Sequence, residues 1–224
     1  MQKLIKRRVI EENIEMDNEQ FISQYNRMMK ESRDKGWIIC IDKIIQFGIV
    51  QGTALEIGPG PGFIGLEWLK KTKETHLHGL DISQYMIQAA SENANEYGFL
   101  NTRVEYILGN ANRIPFEDNY FNAVFTNSTL HEWDNPVQIF NEINRVLKPS
   151  GRFYISDFRR DIDFFTKTFL KITTPKSVRQ GLIASMNAAY TIPEIEEIIR
   201  QSDLKRYSIE HDHFSLIIKG RKQR

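Results

Sequence analysis

Residues 53–65 read TALEIGPGPGFIG, an apolar run that passes directly into a glycine-rich turn and then into a helical pattern. Gly58, Gly60 and Gly62 can take backbone conformations closed to residues with a Cβ, so a ligand can approach the main chain at a helix N-terminus. Two spacings compete. Gly60-x-Gly62-x-x-Gly65 matches the dinucleotide fingerprint, with Asp81 21 positions after Gly60, and points to an NAD-dependent oxidoreductase. Glu56-x-Gly58-x-Gly60-x-Gly62 instead places an acid inside the strand. Pro59 and Pro61 cannot donate ladder hydrogen bonds, so the strand ends at Ile57 and the first loop glycine is Gly58. The prolines also remove two N–H donors that a pyrophosphate would use, which favours a ligand without phosphates.

Outward from this turn, short apolar runs alternate with amphipathic stretches. Two helices lead, over 17–35 with an N-cap at Asp17 or Asn18 and over 37–47 before Gly48. The spacing then predicts strand Thr53–Ile57, helix Gly62–Lys70, strand Thr75–Leu80, helix Ser83–Tyr97, and strands Arg103–Leu108 and Asn122–Thr126. A helix from Pro136 to Leu147, stopped by Pro149-Ser150-Gly151, precedes strand Arg152–Ser156. Five strands separated by helical crossovers imply a mainly parallel, doubly wound α/β sheet. Residues 158–190 are aromatic and basic with no clear strand, and Thr191–Ser202 is a capped helix; together they read as a helical cover. Tyr207–Glu210 and Phe214–Lys219 flank the turn His211-Asp212-His213 and form a hairpin adding antiparallel strands at one edge.

Several segments together resemble the class I S-adenosylmethionine-dependent methyltransferases, small-molecule branch, as in ubiquinone and menaquinone biosynthesis. The Glu56–Gly62 loop is followed by Leu80-Asp81-Ile82-Ser83 with Met86, by Leu108-Gly109-Asn110-Ala111, by Phe121–Phe125 with Leu130-His131-Glu132-Trp133, and by Arg145–Gly151. The resemblance implies a seven-stranded Rossmann-like sheet with an antiparallel C-terminal strand, and S-adenosyl-L-methionine as cofactor. Asp81 would accept hydrogen bonds from both ribose hydroxyls, which suits an acceptor-only carboxylate. Ile82 and Met86 would flank the adenine. Asn110 stands where the family usually has Asp and would accept from the adenine amino group, beside Ala111. Glu56 would work near the methionine amine, Tyr25 would close over the methionine end, and Asn127 would line the cofactor site after the fourth strand.

Each residue has a plainer reading. Glu56 could brace the loop, Asp81 could cap the next helix, and Tyr25 could be an ordinary helix-face aromatic. His131 titrates near neutrality and follows strand four, so it is a candidate general base, with a structural role as the alternative. Asp157, just past strand five, could orient a substrate or cap the next helix. Phe158, Phe164, Phe165 and Phe169, with Leu170 and Ile172, read as the core of the cover or as a hydrophobic substrate pocket. His76, His78, His211 and His213 lack Cys or acidic partners at metal-ligand spacing, so no metal site is expected.

The chain has 224 residues, 41% hydrophobic, with 30 basic and 29 acidic side chains. One compact domain with an accessory segment fits this size, divided as N-terminal cap helices 1–50, cofactor core 51–157, cover 158–203 and hairpin 204–224. A net charge of +1 gives no bulk field for nucleic acid, and no base-flipping motif follows strand four. The balance hides a local excess: residues 159–190 carry six basic side chains against two acids, which favours an anionic or amphipathic small-molecule acceptor if they point inward. The single Cys40 excludes an internal disulfide, and no apolar run approaches the roughly 20 residues of a membrane span. A cytoplasmic protein without integral membrane association is expected. A catalytically silent methyltransferase-like binding subunit is the remaining alternative, motivated by Asn110, Asn122 and the absence of a decisive base.

Overall fold

Near-continuous apolar runs, buried on both faces, are what a parallel sheet covered by helices requires. In the computed structural model, which describes residues 7–9 and 18–224, these runs become strands β1 (Gly52–Ile57), β2 (Thr75–Asp81), β3 (Val104–Leu108), β4 (Phe121–Asn127) and β5 (Leu147–Phe158). The C-terminal hairpin supplies β6 (Tyr207–His211) and β7 (Ser215–Arg221). The sheet order is β3-β2-β1-β4-β5-β7-β6, with β7 antiparallel to both its neighbours. Helices α1 (Glu19–Asp34) and α2 (Cys40–Gln46) precede the sheet, and α3 (Phe63–Lys71), α4 (Gln84–Glu96) and α5 (Pro136–Val146) form the crossovers. The cover contains α6 (Phe164–Thr173), α7 (Lys176–Ala188) and α8 (Ile192–Arg200). Of the expected features, the Asp17 cap and residues 1–6 and 10–17 of the N-terminal segment lie outside the described residues; Asn18 caps α1, accepting from Gln20 N and Phe21 N.

Side chains alternate across each strand, so consecutive residues feed two apolar layers. Leu55, Ile57, Val124, Phe153 and Ile155 pack with α5 and α8 on one face. Ala54, Leu77, Phe125 and Tyr154 pack with Ile41, Ile44, Leu66, Trp68 and Leu69 on the other. Local signals set the helix starts: the Ser83 hydroxyl accepts the Met86 N–H, Asn135 caps α5 ahead of Pro136, and Thr191 with Glu194 forms a capping box on α8.

Three expectations change. α2 starts at Cys40, not at 37, leaving Trp37 exposed. β5 begins at Leu147 because the Pro149-Ser150-Gly151 stretch is absorbed as a register shift against β4 between Phe121 and Ala123. The aromatic run of the cover is not core: α6 meets α7 but buries none of its own residues, and Phe164, Phe165, Phe169 and Ile172 are 65–83% exposed. Helical spacing specifies one apolar face, and it does not specify what that face meets.

Trp68 is fully buried, with its indole N–H donating to the Ile49 carbonyl at 2.8 Å, whereas Phe165 is 83% exposed. Urea titration should show Trp68→Ala destabilised by about 3–5 kcal/mol. Phe165→Ala should stay within about 0.5 kcal/mol of the parent, and a larger loss would place Phe165 in the core after all.

Candidate active site

The site is assembled at the carboxyl ends of β1, β2, β4 and β5. Glu56 shares a face of β1 with Ala54 and so points into the layer beneath α3. Helix α3 can sit this close because residue 65 is glycine: a Cβ there would overlap Glu56 Oε2. The carboxylate is 1% exposed, receives a backbone hydrogen bond from Gly65, and has no partner for Oε2. Burial first, and the nearby Asp81 charge second, push its pKa up to about 8.

The glycine loop folds back through backbone bonds, Gly58 N–H to the Leu80 carbonyl at 2.8 Å and Gly62 N–H to the Pro59 carbonyl at 2.9 Å. Gly62 caps α3 at φ +85°, where a side chain would also collide with the Tyr106 hydroxyl. Asp81 ties the loop to β2: Oδ2 accepts from Gly60 N–H at 3.1 Å and Oδ1 from Ser83 N–H at 3.0 Å. Burial raises the Asp81 pKa, while hydrogen bonds from Ser83, Gly60 and Ile82 pull it down. Each oxygen keeps capacity for a further donor.

Around Asp81 the surface is apolar and open. Leu108 is its register partner on β3; Leu108 and Ile82 are 53% and 55% exposed. Met86 is buried beneath, with Ile22, Ala89, Phe21 and Tyr25, so α1 packs on α4. The Tyr25 ring lies 3.8 Å from where a Cβ on Gly60 would stand, which places it over the loop. Ala111 is buried in a short 3₁₀ turn capped by Asn110, whose Oδ1 already accepts the Asn112 N–H at 2.8 Å. Asn127 laces β4 to β5, accepting from Ser156 Oγ at 2.8 Å and donating to Ser128 Oγ at 3.0 Å.

His131 and Asp157 were separate candidates in the sequence, and the structure joins them. His131 sits in the 3₁₀ turn Leu130–Glu132 after β4, and Asp157 near the end of β5. Both carboxylate oxygens lie 2.9 Å from His131 Nδ1, Oδ2 also accepts the His131 backbone N–H at 2.7 Å, and Oδ1 accepts from Phe158 N–H. An ionised carboxylate can only accept, so Nδ1 carries the proton of the neutral imidazole and Nε2 is its basic nitrogen. Nε2 is 3.7 Å from Glu132 Oε1, and His131 and Asp157 are both almost fully buried. The turn begins against the loop, since a Cβ on Gly58 would overlap the Thr129 side chain.

Two contributors had no sequence signal. Asn93, buried on α4, donates to the Pro61 carbonyl at 2.8 Å and to Asn26 Oδ1 at 2.9 Å, fixing both the loop and the helix that carries Tyr25. Arg8 donates to the carbonyls of His131 and Ala188 and stacks on Tyr190, 4.2 Å from its centroid. Among the described residues no group of three His, Cys, Asp or Glu side chains could hold a metal ion, and no helix is long and apolar enough to cross a membrane.

A sheet of this order, with a glycine loop after β1 and a carboxylate ending β2, defines a Rossmann-like nucleoside-binding fold. Residues 55–155 match the methyltransferase domain family model. The chain is 31% identical over 147 residues to the uncharacterized methyltransferase YdaC of Bacillus subtilis, covering 65% of this chain and 75% of that one. It is 26% identical over 156 residues to the ubiquinone/menaquinone biosynthesis C-methyltransferase UbiE of Brucella abortus, covering 67% of this chain but only 58% of that relative. A candidate S-adenosyl-L-methionine-dependent methyltransferase from Methanococcus maripaludis superposes with a TM-score of 0.75 over 96% of this chain and 98% of its own, at 23% identity. The protein belongs to the S-adenosyl-L-methionine-dependent methyltransferase family, which sets aside the dinucleotide reading of Gly60–Gly65.

The residues present fit that cofactor. Asp81 has acceptor capacity for ribose hydroxyls, Ile82 and Leu108 offer apolar flanks for a purine, and the unpartnered Glu56 oxygen suits a ligand bringing positive charge. Glu56 also makes a prediction about the ligand-free protein. Its folded pKa of about 8 exceeds the ordinary 4.5, so the folded state holds a proton that the unfolded state has lost, and stability falls as pH rises through that window. Glu56→Gln removes this term. In urea titrations the variant should gain on the order of 2 kcal/mol relative to wild type between pH 6 and pH 8. A pH-independent difference would show that the carboxylate is ionised throughout.

Proposed function

We propose that this methyltransferase acts on a small-molecule acceptor whose nucleophilic atom carries a proton, a phenol, an amine or an enol-type carbon, and that His131 takes that proton. The observation that carries the reading is the His131 Nδ1 to Asp157 hydrogen bond at 2.9 Å, in a turn seated on the glycine loop. Bound cofactor supplies a methyl group already activated on a sulfonium, so the protein's task is alignment, water exclusion and proton handling. Asp157 fixes the imidazole tautomer and orientation, leaving Nε2 to accept the proton, as in other carboxylate–histidine pairs. Asp81 and the loop position the nucleoside end, while Tyr25 and α1 close over the methionine end. Held by Asp81 and the loop, S-adenosyl-L-methionine would supply its methyl group by in-line displacement at the sulfonium, and His131 Nε2 would take the acceptor's proton.

The charge argument for an anionic acceptor weakens. Arg159 pairs with Asp161 and Arg160 with Glu194, and Lys171 and Lys176 face solvent. What supports a small acceptor is the nearly complete burial of the dyad, which suits a confined, dry reaction space. Cys40, half-buried with its thiol pushed up to about 12 chiefly by burial, suits a reducing cytoplasmic setting.

Calorimetry with S-adenosyl-L-methionine and NADH, then release of S-adenosylhomocysteine in the presence of phenol, quinol and amine acceptors, tests the proposal. Asp81→Ala should lose cofactor affinity at least tenfold while its circular dichroism stays native; unchanged affinity would move the ribose elsewhere. With an accepted substrate, His131→Gln should lower kcat by about 10²–10⁴ at unchanged cofactor affinity. Undiminished kcat would leave the dyad a structural brace, and no turnover with any acceptor would favour a silent binding subunit.

A further inference from the structure

Among the described residues, the most exposed group of large apolar side chains lies on α6. Phe164, Phe165, Phe169 and Ile172 are 72%, 83%, 65% and 72% exposed. At 3.6 residues per turn they fall within an arc of about 140°, one face of a helix about 15 Å long. Phe164 and Phe165 meet edge to face, with centroids 6.0 Å apart. Monomeric proteins rarely leave this much contiguous apolar surface in water.

The charges beside this face have one sign. From residue 164 to 190 the chain has no Asp or Glu and four basic residues, Lys167, Lys171, Lys176 and Arg179. Lys171 borders the apolar arc, and both it and Lys176 are exposed. Lys167 and Arg179 donate to the carbonyls of Arg160 and Thr174. The nearest acids are engaged: Asp161 pairs with Arg159, and Asp163 caps α6, accepting from the Thr166 N–H and hydroxyl.

From this combination we infer that the α6 face docks on the surface of a bilayer containing anionic lipid, with the phenylalanines seated among the acyl-chain ends and Lys171 and Lys176 among the headgroup phosphates. An aromatic face rimmed by lysines is the chemistry of an interfacial helix. A second copy fits less well, because two-fold pairing through α6 would bring like-charged rims together with no acid between residues 164 and 190 to answer them. The inference stands apart from the identity of the methyl acceptor, and its test needs no turnover.

The full chain is sedimented with vesicles of phosphatidylcholine alone and of phosphatidylcholine with phosphatidylglycerol. Wild type should be retained by the anionic vesicles and released by high salt. Phe165→Ser/Phe169→Ser should abolish retention, and Lys171→Glu/Lys176→Glu should weaken it by at least about fivefold per lysine. Both variants should keep native circular dichroism and cofactor affinity, because every altered side chain is exposed and lies outside the cofactor site. Three results would overturn the inference: wild type left in the supernatant with both vesicles, retention unaffected by the serine substitutions, or a lipid-free dimer in sedimentation velocity that those substitutions dissolve.

Discussion

A carboxylate sealed in the core with one oxygen unpartnered is the constraint on which the site depends. Glu56 occupies a position that the strand's alternation assigns to the apolar layer, and a buried charge without a counter-charge is costly. The fold answers in two ways. It keeps the group protonated up to about pH 8, and it brings α3 so close that Gly65 must be bare of a side chain. That close approach sets the N-terminus of α3 against the loop, so the residue that is costly to bury also fixes the geometry of the turn. Strain of this kind, held at a binding site and offset by surrounding packing, is where local sequence rules are expected to be broken.

The sheet separates two tasks along one edge. β1 and β4 are adjacent although β2 and β3 lie between them in sequence, and the crevice at this reversal of strand order is where α/β folds bind ligands. On the β2–β3 side, Asp81 and Leu108 face each other in register and form a fixed platform. On the β4–β5 side, Asn127 and Ser156 lace the strand ends, and one step further His131 and Asp157 repeat the same cross-strand link with titratable groups. The Asp81 platform and the His131–Asp157 pair are thereby held on neighbouring halves of one sheet, with the glycine loop between them.

Much of this was legible in the residues. The order of strands and helices followed from apolar period, from the capped starts at Ser83 and Thr191 and from Pro136 at the head of α5, because each of these acts over three or four residues. The Glu56, Asp81 and glycine-loop cluster was readable for the same reason, since one strand–turn–helix carries most of it. What stayed hidden was long-range. The pairing of His131 with Asp157 spans 26 residues, Asn93 reaches a carbonyl 32 residues away, and no local pattern encodes either. The cover differs for a complementary reason: Phe164, Phe165 and Phe169 look like core by composition, and only tertiary placement shows them largely uncovered among the described residues.

Arg8 shows how late some of this arrangement must be completed. Its guanidinium joins the carbonyls of His131 and Ala188, 123 and 180 residues further along, and lies on the Tyr190 ring. During synthesis the N-terminal side of the chain emerges first. Arg8 has no finished place to go until the sheet has closed through β5 and α7 has formed. The earliest of these residues to leave the ribosome is therefore among the last to find its partners, and it sets its two hydrogen bonds and its ring contact at the seam where the His131 turn meets the cover.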